Sequence, residues 1–478
     1  MDKLNYDVIV IGAGSTGENV ADRAVKGGLT AAIVESDLVG GECSYWACMP
    51  SKALLRPGLA LEDAQSVMGA REAVTGKLNV PAVFKRRDSV VSNWDDSGHV
   101  KWLGHATIDL IRGHGRLAGE RRVVVTNKDG TQTNLTARHA VAVCTGSRPA
   151  IPDVPGLAEA HPWTNREAVS AQTVPRRLAI LGGGVVACEM ATAWKQLGTD
   201  EITIIQRGLR LIPKYEPFAG DLLKASFEQR EISVLTETTV RLVERQHDGV
   251  ARLSLSSGRT LFVDQVLAAT GRLPRTQDIG IESAGLAPGS WLEVDDSMRV
   301  NGVTGGWLYA AGDVNHRALL THMGKYQARV CGDVIVARAK GNPEASVPEP
   351  WSKYSATADT WAVPQVIFSN PEVAAVGLTE AEAKARGMKV RSVDYDIGEV
   401  AGAALYADGY KGHARMVIDQ ARGVVVGMTL IGPSVGELIH AATIAIVGAV
   451  PISRLWHAVP AYPTISEVWL RLFETLGL

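Results

Sequence analysis

The sequence predicts an α/β protein made of two repeated strand–turn–helix units followed by a C-terminal α+β module. The first observation behind this prediction is an internal repeat, in which VIVI then GAGSTG at residues 8–17 returns as LAIL then GGGVVA at residues 178–187. An apolar run, a tight glycine turn and a helix start are typical of a buried parallel strand feeding a helix. The second observation is a change of pattern after residues 341–350, where three prolines and a glycine indicate a linker.

Length and composition exclude several classes of protein. A chain of 478 residues suggests about three domains at roughly 150 residues each, and 46% hydrophobic residues excludes disorder. The formal charge is −2 and no basic run is present, so we expect no nucleic-acid partner. The apolar stretch 441–452 is interrupted and shorter than the roughly 18 residues that a bilayer needs. We therefore expect no membrane partner, and a cytoplasmic location because no secretory signal precedes the first strand.

The first glycine turn has the context of a dinucleotide-binding site. Gly12 permits the turn, Gly14 lets backbone N–H groups approach a pyrophosphate, and Gly17 opens a helix whose N-terminus favours that anion. Glu35 ends a second apolar strand 23 residues after Gly12, where a carboxylate would accept hydrogen bonds from ribose hydroxyls. The alternative is a βαβ unit that binds nothing.

The second turn has the same form, with Gly182, Gly184 and the permitted variant Ala187. The position equivalent to Glu35 is Gln206, followed by Arg207 and Arg210. Arginines attract a 2′-phosphate and a carboxylate would repel it, so NADPH is favoured over NADH. The alternative is that both arginines are ordinary surface residues.

A later strand in each repeat ends in Thr-Gly, at Thr145-Gly146 in the first unit and at Thr270-Gly271 in the second. The recurrence at equivalent places extends the repeat over two nucleotide-binding lobes. Beyond the linker, the alternating segments 390–395 and 415–418 and a helical stretch from Val435 indicate an α+β module.

Cys43 and Cys48 lie in GGECSYWACMPSK, at residues 40–52, which is the segment most informative about chemistry. Four intervening residues allow the two sulfurs to meet if they lie on the first turn of a helix, where the N-terminus lowers a thiol pKa. We favour a redox-active disulfide over inert thiols or zinc, since no second Cys/His pair is near. Three other cysteines, at positions 144, 188 and 331, are expected to be small buried hydrophobes.

The order of these motifs resembles the FAD-dependent pyridine nucleotide-disulfide oxidoreductases, the family of glutathione reductase, dihydrolipoamide dehydrogenase and mercuric reductase. The resemblance includes YAAGD ending at Asp313 and PQVIFSNP at residues 364–371, and it covers essentially the whole chain. It implies a homodimer. Each chain would have an FAD-binding domain at 1–150 and 272–345, an NAD(P)H-binding domain at 151–271, and a dimerisation domain at 350–478.

The resemblance also implies residue roles. Asp313 would bind the ribityl or pyrophosphate region of FAD, beside the residues that hold its ADP half. Cys48 would face the flavin and Cys43 would attack a small-molecule acceptor. Lys52 would pair with Glu189 near the reactive flavin nitrogen. Electrons would then pass from NAD(P)H through the flavin to the Cys43/Cys48 pair and on to a disulfide-type or other acceptor.

One motif departs from the family pattern. Where reductases of small disulfides have a proton-shuttling histidine, this chain has Tyr462, and the glutamate that would orient the histidine is Glu467. A phenol titrates near pH 10 and an imidazole near about 6.5, so Tyr462 can donate a hydrogen bond but is a poor base. His457 lies nearby, but no catalytic residue of the family has its position.

Mercuric reductase also has a tyrosine at the position of Tyr462, so the chain resembles that enzyme here. A pair of soft thiols also suits a soft metal ion. Against that match, residues 473–478 contain no cysteine pair. A metal-ion or quinone reductase is therefore the alternative within the enzymes, and a redox-sensing non-enzymatic homologue is the alternative outside them. Trp46, at a position where the family has a small residue, either narrows access to the sulfurs, stacks on something flat, or fills space.

Overall fold

The computed structural model describes residues 3–478, and the chain divides into two compact units. The first unit contains residues up to 50, 88–148 and 272–360, and the second contains 51–87, 149–271 and 361–478. The strands are β1 (Lys3–Ile11), β2 (Ala31–Glu35), β3 (Asp109–Arg112), β4 (His114–Leu117), β5 (Arg122–Thr126), β6 (Gln132–Val143), β7 (Ser147–Pro149), β8 (Arg177–Leu181), β9 (Glu201–Ile205), β10 (Ile232–Leu235), β11 (Val240–Arg245), β12 (Ala251–Leu255), β13 (Thr260–Val263), β14 (Gln265–Ala268), β15 (Arg272–Pro274), β16 (Leu308–Ala310), β17 (Gln365–Ile367), β18 (Glu372–Gly377), β19 (Val390–Asp396), β20 (His413–Asp419) and β21 (Val424–Gly432).

The helices are spread along the chain, with four in succession between β2 and β3. They are α1 (Ser15–Lys26), α2 (Gly41–Tyr45), α3 (Cys48–Gln65), α4 (Val80–Val90), α5 (Ser97–His105), α6 (Asn165–Ser170), α7 (Val185–Gln196), α8 (Pro217–Gln229), α9 (Thr321–Ala339), α10 (Ala358–Trp361), α11 (Glu380–Ala385), α12 (Ala401–Tyr406), α13 (Ile439–Val447), α14 (Ile452–Leu455) and α15 (Val468–Leu476). Over residues 3–478, no helix is both long enough and apolar enough to span a bilayer.

The first unit is organised around a sheet in the order β3-β2-β1-β6-β5-β4, with β16 also paired to β6. Strands β1, β2, β3, β6 and β16 run parallel, whereas β5 and β4 add an antiparallel extension. Alternate residues of β1 are buried in cores on opposite faces, with Val8 and Val10 in one core and Ile9 in the other. Because both faces are covered, β1 is a continuous apolar run, as the sequence predicts.

The second unit repeats this plan in a smaller form. Its parallel sheet has the order β10-β9-β8-β14, and an antiparallel sheet β11-β12-β13 accompanies it. Trp194 on α7 is fully buried, which anchors that helix in the core of the unit. The glycine turn of each repeat packs in the same way: a Cβ at Gly12 would lie 2.5 Å from the Cys144 carbonyl oxygen, and one at Gly182 would lie 2.4 Å from that of Ala269.

The C-terminal part of the second unit is an antiparallel sheet in the order β17-β18-β21-β20-β19 with short helices. The predicted α/β class, with two nucleotide-binding sheets and a C-terminal α+β module, is confirmed. The strands predicted near 390–395 and 415–418 are β19 and β20. The helix predicted to run from Val435 is shorter: a 3₁₀ turn precedes α13, and Gly448 with Pro451 ends it.

Candidate active site

Cys43 and Cys48 lie on two helices and not on one turn of a single helix. Cys43 is in α2, the chain turns at Trp46, and Cys48 is the first residue of α3. Both are free thiols in the structure, and Cys43 hydrogen-bonds to Cys48. A turn between two helices therefore brings the two sulfurs together, and the redox-active disulfide stays a prediction.

The partners of the thiol pair change the pKa of Cys43. Thr321, the first residue of α9, places its Oγ1 3.2 Å from Cys48 Sγ. The hydrogen bond to Cys48, together with burial, raises the pKa of the Cys43 thiol, and this outweighs the opposing effects of Thr321 and of the Lys325 charge. The pKa of the Cys43 thiol is therefore held above its usual value. No feature of the sequence pointed to Thr321, which lies 273 residues from Cys48.

Lys52 and Glu189 form the predicted ion pair within the second unit. Lys52 Nζ is 3.0 Å and 2.7 Å from the two Glu189 carboxylate oxygens, and the Glu189 side chain is only 5% exposed. The Phe368 amide donates to Glu189 Oε1 at 3.1 Å, and Lys52 Nζ lies 4.9 Å from the Phe368 ring centroid. The carboxylate is therefore bound from two sides, which fixes the direction of the lysine charge. Phe368 was present in the quoted motif, but the sequence did not indicate this role.

The residues proposed for the ADP half of FAD line an open glycine turn. A Cβ at Gly14 would have only the Gly41 Cα within 4 Å, at 3.9 Å, so a ligand can approach the backbone there closely. A Cβ at Gly17 would lie 1.9 Å from the Gly12 carbonyl oxygen, which explains the third glycine by close packing. Glu35 accepts hydrogen bonds from the Ala13 amide at 2.7 Å and the Asp37 amide at 2.8 Å. A carboxylate has about four acceptor positions, so capacity remains for ribose hydroxyls.

The strand end Thr145-Gly146 packs beside Gly12 and has room for a polar ligand. Thr145 Oγ1 is buried and has no hydrogen-bond partner in residues 3–478. A buried hydroxyl without a hydrogen bond raises the free energy of the folded state unless a ligand or water supplies the bond. A Cβ at Gly146 would contact nothing within 4 Å. Asp313 accepts from Ser147 Oγ at 2.6 Å, and Arg272 Nε donates to the same hydroxyl. Burial raises the pKa of Asp313, so a hydrogen-bonding ligand there would offset the cost of its charge.

The second glycine turn offers a matching site for a pyridine nucleotide. Gly184 has open space where a Cβ would stand, as does Gly271, whereas Ala187 is fully buried in α7. Gln206 is buried and donates to the Arg210 carbonyl at 3.0 Å. The Arg210 guanidinium is paired with Asp221 at 3.1 Å, whereas Arg207 is exposed and has no ion pair within the described part of the chain.

The structure does not join Tyr462 to Glu467. Tyr462 is 76% exposed, and Glu467 is buried and bound by Arg471, four residues later in the chain, at 2.6 Å. Glu467 Oε2 has no partner in residues 3–478. The expectation that Glu467 orients residue 462 is therefore not supported by a contact within one chain. His457 is also exposed.

No group of three or more His, Cys, Asp or Glu side chains in residues 3–478 is arranged to hold a metal ion. The thiol pair, Thr321 and the first glycine turn lie in the first unit, and Lys52, Glu189, Phe368 and the second turn lie in the second. Each unit thus contains one glycine turn and one group of the candidate residues.

Known proteins match almost the whole chain. Residues 6–341 match the family described as pyridine nucleotide-disulphide oxidoreductase, and residues 363–472 match its dimerisation domain, which supports a homodimer. The chain is 29% identical over 466 residues to mercuric reductase of Staphylococcus aureus, covering 97% of this chain and 81% of that protein. It is 28% identical over 486 residues to dihydrolipoyl dehydrogenase of Rhizobium etli, covering 97% and 96%.

A solved structure gives the same fold. The Cu(II) complex of the HOCl-induced flavoprotein disulfide reductase RclA from Escherichia coli matches with a TM-score of 0.83, over 99% of both chains, at 21% identity. The chain therefore belongs to the pyridine nucleotide-disulphide oxidoreductase family, as an FAD-dependent enzyme that uses a pyridine nucleotide and a redox pair of cysteines.

Proposed function

We propose that this enzyme uses NADPH to reduce the Cys43/Cys48 pair and passes the two electrons to a small-molecule acceptor that needs no imidazole base. The observation that supports this proposal is the meeting of the two thiols at the start of α3, with Thr321 Oγ1 3.2 Å from the Cys48 sulfur. As the family resemblance implies, Cys48 is proposed as the thiolate that faces the flavin and Cys43 as the sulfur that meets the acceptor. When bound, FAD supplies the two-electron chemistry between the hydride donor and this pair.

The remaining assignments follow the domains. We propose the boundaries 1–150 and 272–345 for FAD, 151–271 for NADPH and 350–478 for dimerisation. FAD would be held by Gly12, Gly14, Gly17, Glu35, Thr145, Gly146 and Asp313, and NADPH by Gly182, Gly184, Ala187, Gln206, Arg207, Arg210 and Gly271. The Lys52–Glu189 pair would place a fixed positive charge for the reacting end of the flavin.

NADPH is proposed over NADH because of the charge at the second turn. Gln206 occupies the position where a carboxylate would repel a 2′-phosphate. The exposed Arg207 guanidinium is available to bind that phosphate. Arg210 is a weaker candidate because Asp221 already pairs with it.

The acceptor is proposed to differ from the disulfides that other members reduce. Attack on a disulfide requires a thiolate at Cys43, and a base must remove its proton. Tyr462 is a poor base, and its hydroxyl serves as a hydrogen-bond donor at neutral pH. An acceptor that is reduced without nucleophilic attack by a Cys43 thiolate removes this requirement.

The five cysteines support a location for this chemistry. Five cysteines in 478 residues are too few for the disulfide scaffold of a secreted protein, and Cys144, Cys188 and Cys331 are buried. Such sparse cysteine use is typical of reducing compartments, and we propose that the enzyme acts in the cytoplasm.

Anaerobic titration with NADPH tests the proposed function. We expect a long-wavelength charge-transfer band in the wild type and in Cys43→Ala, and loss of acceptor turnover in Cys43→Ala. Cys48→Ala should lose the band. A band that persists in Cys48→Ala, or full turnover in Cys43→Ala, would contradict the proposed roles.

Metal-ion reduction is the second candidate. The soft thiol pair and the relatives named mercuric reductase favour it. Hg²⁺ and Cu²⁺ belong in the acceptor panel, and turnover with either ion that exceeds turnover with every organic acceptor would replace the first proposal.

A further inference from the structure

A polar cavity lies at the end of α9 that is farther from the thiol pair. Its volume is about 350 Å³, and it is lined by Arg299, Arg338 and loop residues between 300 and 306. Arg338 is in the last turn of α9, whereas Thr321 begins that helix. Helical residues this far apart in sequence are separated by roughly 25 Å. The cavity is therefore distinct from the place where the redox sulfurs meet.

The cavity is also distinct from the proposed cofactor sites. The loop 300–306 precedes β16, and Asp313 follows that strand. Strands β1, β6 and β16 are parallel, so the residues before them and the residues after them lie at opposite edges of the sheet. The proposed FAD-binding residues Gly12 and Thr145 follow the carboxyl ends of β1 and β6. The cavity therefore lies at the amino edge, opposite the flavin site.

Arg338 has hydrogen-bond donors that no acceptor fills. Its Nη1 donates to the Gly306 carbonyl at 3.1 Å and to the Tyr309 hydroxyl at 2.7 Å. A guanidinium has five N–H donors, and within residues 3–478 the Nε and Nη2 of Arg338 have no hydrogen-bond partner and its charge has no ion pair. The side chain is half-buried, and a charge removed from water is costly without a counter-ion.

Arg299 brings a second guanidinium to the same place. A Cβ at Gly306 would lie 2.9 Å from Arg338 Nη2 and 3.2 Å from Arg299 Cδ, so both side chains cross one glycine. Burial raises the pKa of Tyr309 to about 12, and the charges of both arginines oppose this rise. Both are therefore within electrostatic range of one hydroxyl. Two positive charges held this close repel each other, and an anion between them would offset the repulsion.

Glycines in the loop make this approach of the two arginines possible. Gly302, Gly305 and Gly306 have φ values of 77°, 83° and 59°, in the left-handed region that favours glycine. A side chain at position 306 would collide with the Arg338 guanidinium, whereas a Cβ at Gly302 would contact nothing within 4 Å. The loop therefore leaves space beside the guanidinium groups.

Two carboxylates near the cavity already have partners. Asp295 accepts from Arg299 Nη2 at 3.0 Å, so the charge of Arg299 is balanced while its Nη1 remains free to donate within the described chain. Glu120 is bound by its neighbour Arg121 at 3.1 Å. The uncompensated positive charge of the cavity is therefore that of Arg338.

We propose that this cavity binds the phosphoryl group of a small phosphate monoester between Arg338 and Arg299. The planar guanidinium fork matches phosphate oxygens with charge-assisted hydrogen bonds. The three free oxygens of a monoester can be shared by two arginines, which the two oxygens of a carboxylate allow less well. Sites for small molecules have volumes of roughly 300–1,000 Å³, so the cavity also has room for a sugar-sized organic part. This binding function goes beyond the proposed oxidoreduction.

Isothermal titration calorimetry of the FAD-bound enzyme tests the proposal with glucose 6-phosphate as the probe. We expect one site per chain in the wild type and roughly 10- to 100-fold weaker binding in Arg338→Gln, which loses charge-assisted hydrogen bonds. Arg338→Lys keeps the charge without the fork and should lie between the two. Arg116→Gln is the matched control, since Arg116 is exposed and paired with Glu282 in the same unit, and it should bind like the wild type. Glucose, which has no phosphate, should not bind.

The second glycine turn is the competing place for a phosphate. Glucose 6-phosphate bound there would be lost in Arg207→Ala and kept in Arg338→Gln, and this pattern would overturn the proposal. The expected pattern is the reverse, with binding kept in Arg207→Ala.

Chemical modification of the wild type keeps the proposal testable if Arg338→Gln folds poorly, because Arg338 also binds Tyr309 and Gly306. Glucose 6-phosphate should slow the reaction of Arg338 with phenylglyoxal, measured by peptide mass spectrometry, and glucose should not. Equal modification of Arg338 with and without glucose 6-phosphate would overturn the proposal, as would equal affinities of Arg338→Gln and Arg116→Gln. Neither result would affect the proposed function, which the charge-transfer titration tests separately.

Discussion

At the scale of single residues, the proposed function depends on which polar and charged side chains have partners within the chain and which do not. Glu189 receives Lys52 and the Phe368 amide, so the lysine charge has one orientation. Thr145 Oγ1 is buried with no partner in residues 3–478, as expected where a ligand supplies a hydrogen bond. Arg207 is the opposite case, an exposed cation with no ion pair in the described chain.

Arg207→Ala tests the choice of nucleotide. Hydrogen bonds to charged groups contribute about 1.5–3 kcal/mol, so kcat/KM for NADPH should fall roughly 10- to 100-fold. The value for NADH should stay within about twofold, because NADH lacks the 2′-phosphate. Steady-state kinetics with both nucleotides measure this. Arg210→Ala is the control with an arginine already paired to Asp221 and should have the smaller effect; equal losses with both nucleotides would contradict the assignment.

At the scale of elements, α9 connects the flavin side of the first unit with the thiol pair. Its first residue, Thr321, contacts Cys48, and its buried Gln327 accepts from the Gly312 amide at 2.7 Å, next to Asp313. Gln327 also donates to Asp359 on α10 at 2.9 Å. The helix therefore positions the proposed cofactor loop and the redox sulfur together.

Thr321→Val should weaken the charge-transfer state. The hydroxyl at 3.2 Å from Cys48 Sγ can donate to the thiolate, and valine removes that bond while keeping the shape. A lost hydrogen bond to a charged group is worth about 1.5 kcal/mol, so the band of the reduced enzyme should appear about one pH unit higher. A pH titration of the band measures the shift. Thr321→Ser keeps a hydroxyl and should behave like the wild type; an unchanged profile in the valine variant would exclude this role.

Asp359 should make the stability of the first unit pH-dependent. Burial raises its pKa from 3.8 to about 6, despite the Arg317 guanidinium 3.1 Å away. The folded state therefore binds a proton more tightly than the unfolded state. The stabilisation this provides is fully present below about pH 4 and is lost as pH rises through about 6. A shift of two units corresponds to about 2–3 kcal/mol.

Urea midpoints of the FAD-bound protein between pH 4 and 7 test this dependence. In Asp359→Asn, the decrease of the urea midpoint with rising pH that Asp359 causes should disappear. Asp7→Asn is a control that should leave the slope between pH 4 and 7 unchanged, because Arg138 holds the pKa of Asp7 well below its usual range and the stability this provides is lost only below about pH 4. Parallel slopes for wild type and Asp359→Asn would show that Asp359 does not titrate in this range.

At the scale of the whole molecule, residues matching the dimerisation domain expose apolar side chains on the single chain. Within residues 363–472, Val459 is 85% exposed and Ile444 is 58% exposed, and the exposed ring of Tyr462 is near them in sequence. Exposed apolar side chains concentrated in one segment indicate an interface. This agrees with the homodimer that the domain supports.

Val459→Asp should shift the enzyme toward the monomer. A buried unpaired charge at an interface is costly, so the species at twice the 50.9 kDa of one chain should dissociate at micromolar concentration. Sedimentation velocity measures the mass. Phe262→Asp places the same charge on a side chain that is 47% exposed outside the matching segment and should remain dimeric. A dimeric Val459→Asp enzyme would remove this residue from the interface.

The sequence by itself determined the features that depend on local spacing. The two glycine turns, Glu35, the Thr-Gly strand ends and the cysteine pair all follow from residues close together in the chain, because a turn or a strand is specified by its own side chains. The repeat was enough to predict two nucleotide-binding sheets. The family resemblance supplied the Lys52–Glu189 pair, which lies 137 residues apart and has no local signal.

Only the tertiary structure decided which distant groups complete each site. It placed Thr321 against Cys48, the Phe368 amide on Glu189 and Trp94 against Trp46, and it bound Glu467 to Arg471 without a contact to Tyr462. These contacts depend on how helices and strands pack, and packing responds to the shape and burial of the whole unit, which no short segment contains. Local spacing therefore determined the chemistry available, and packing determined which groups control it.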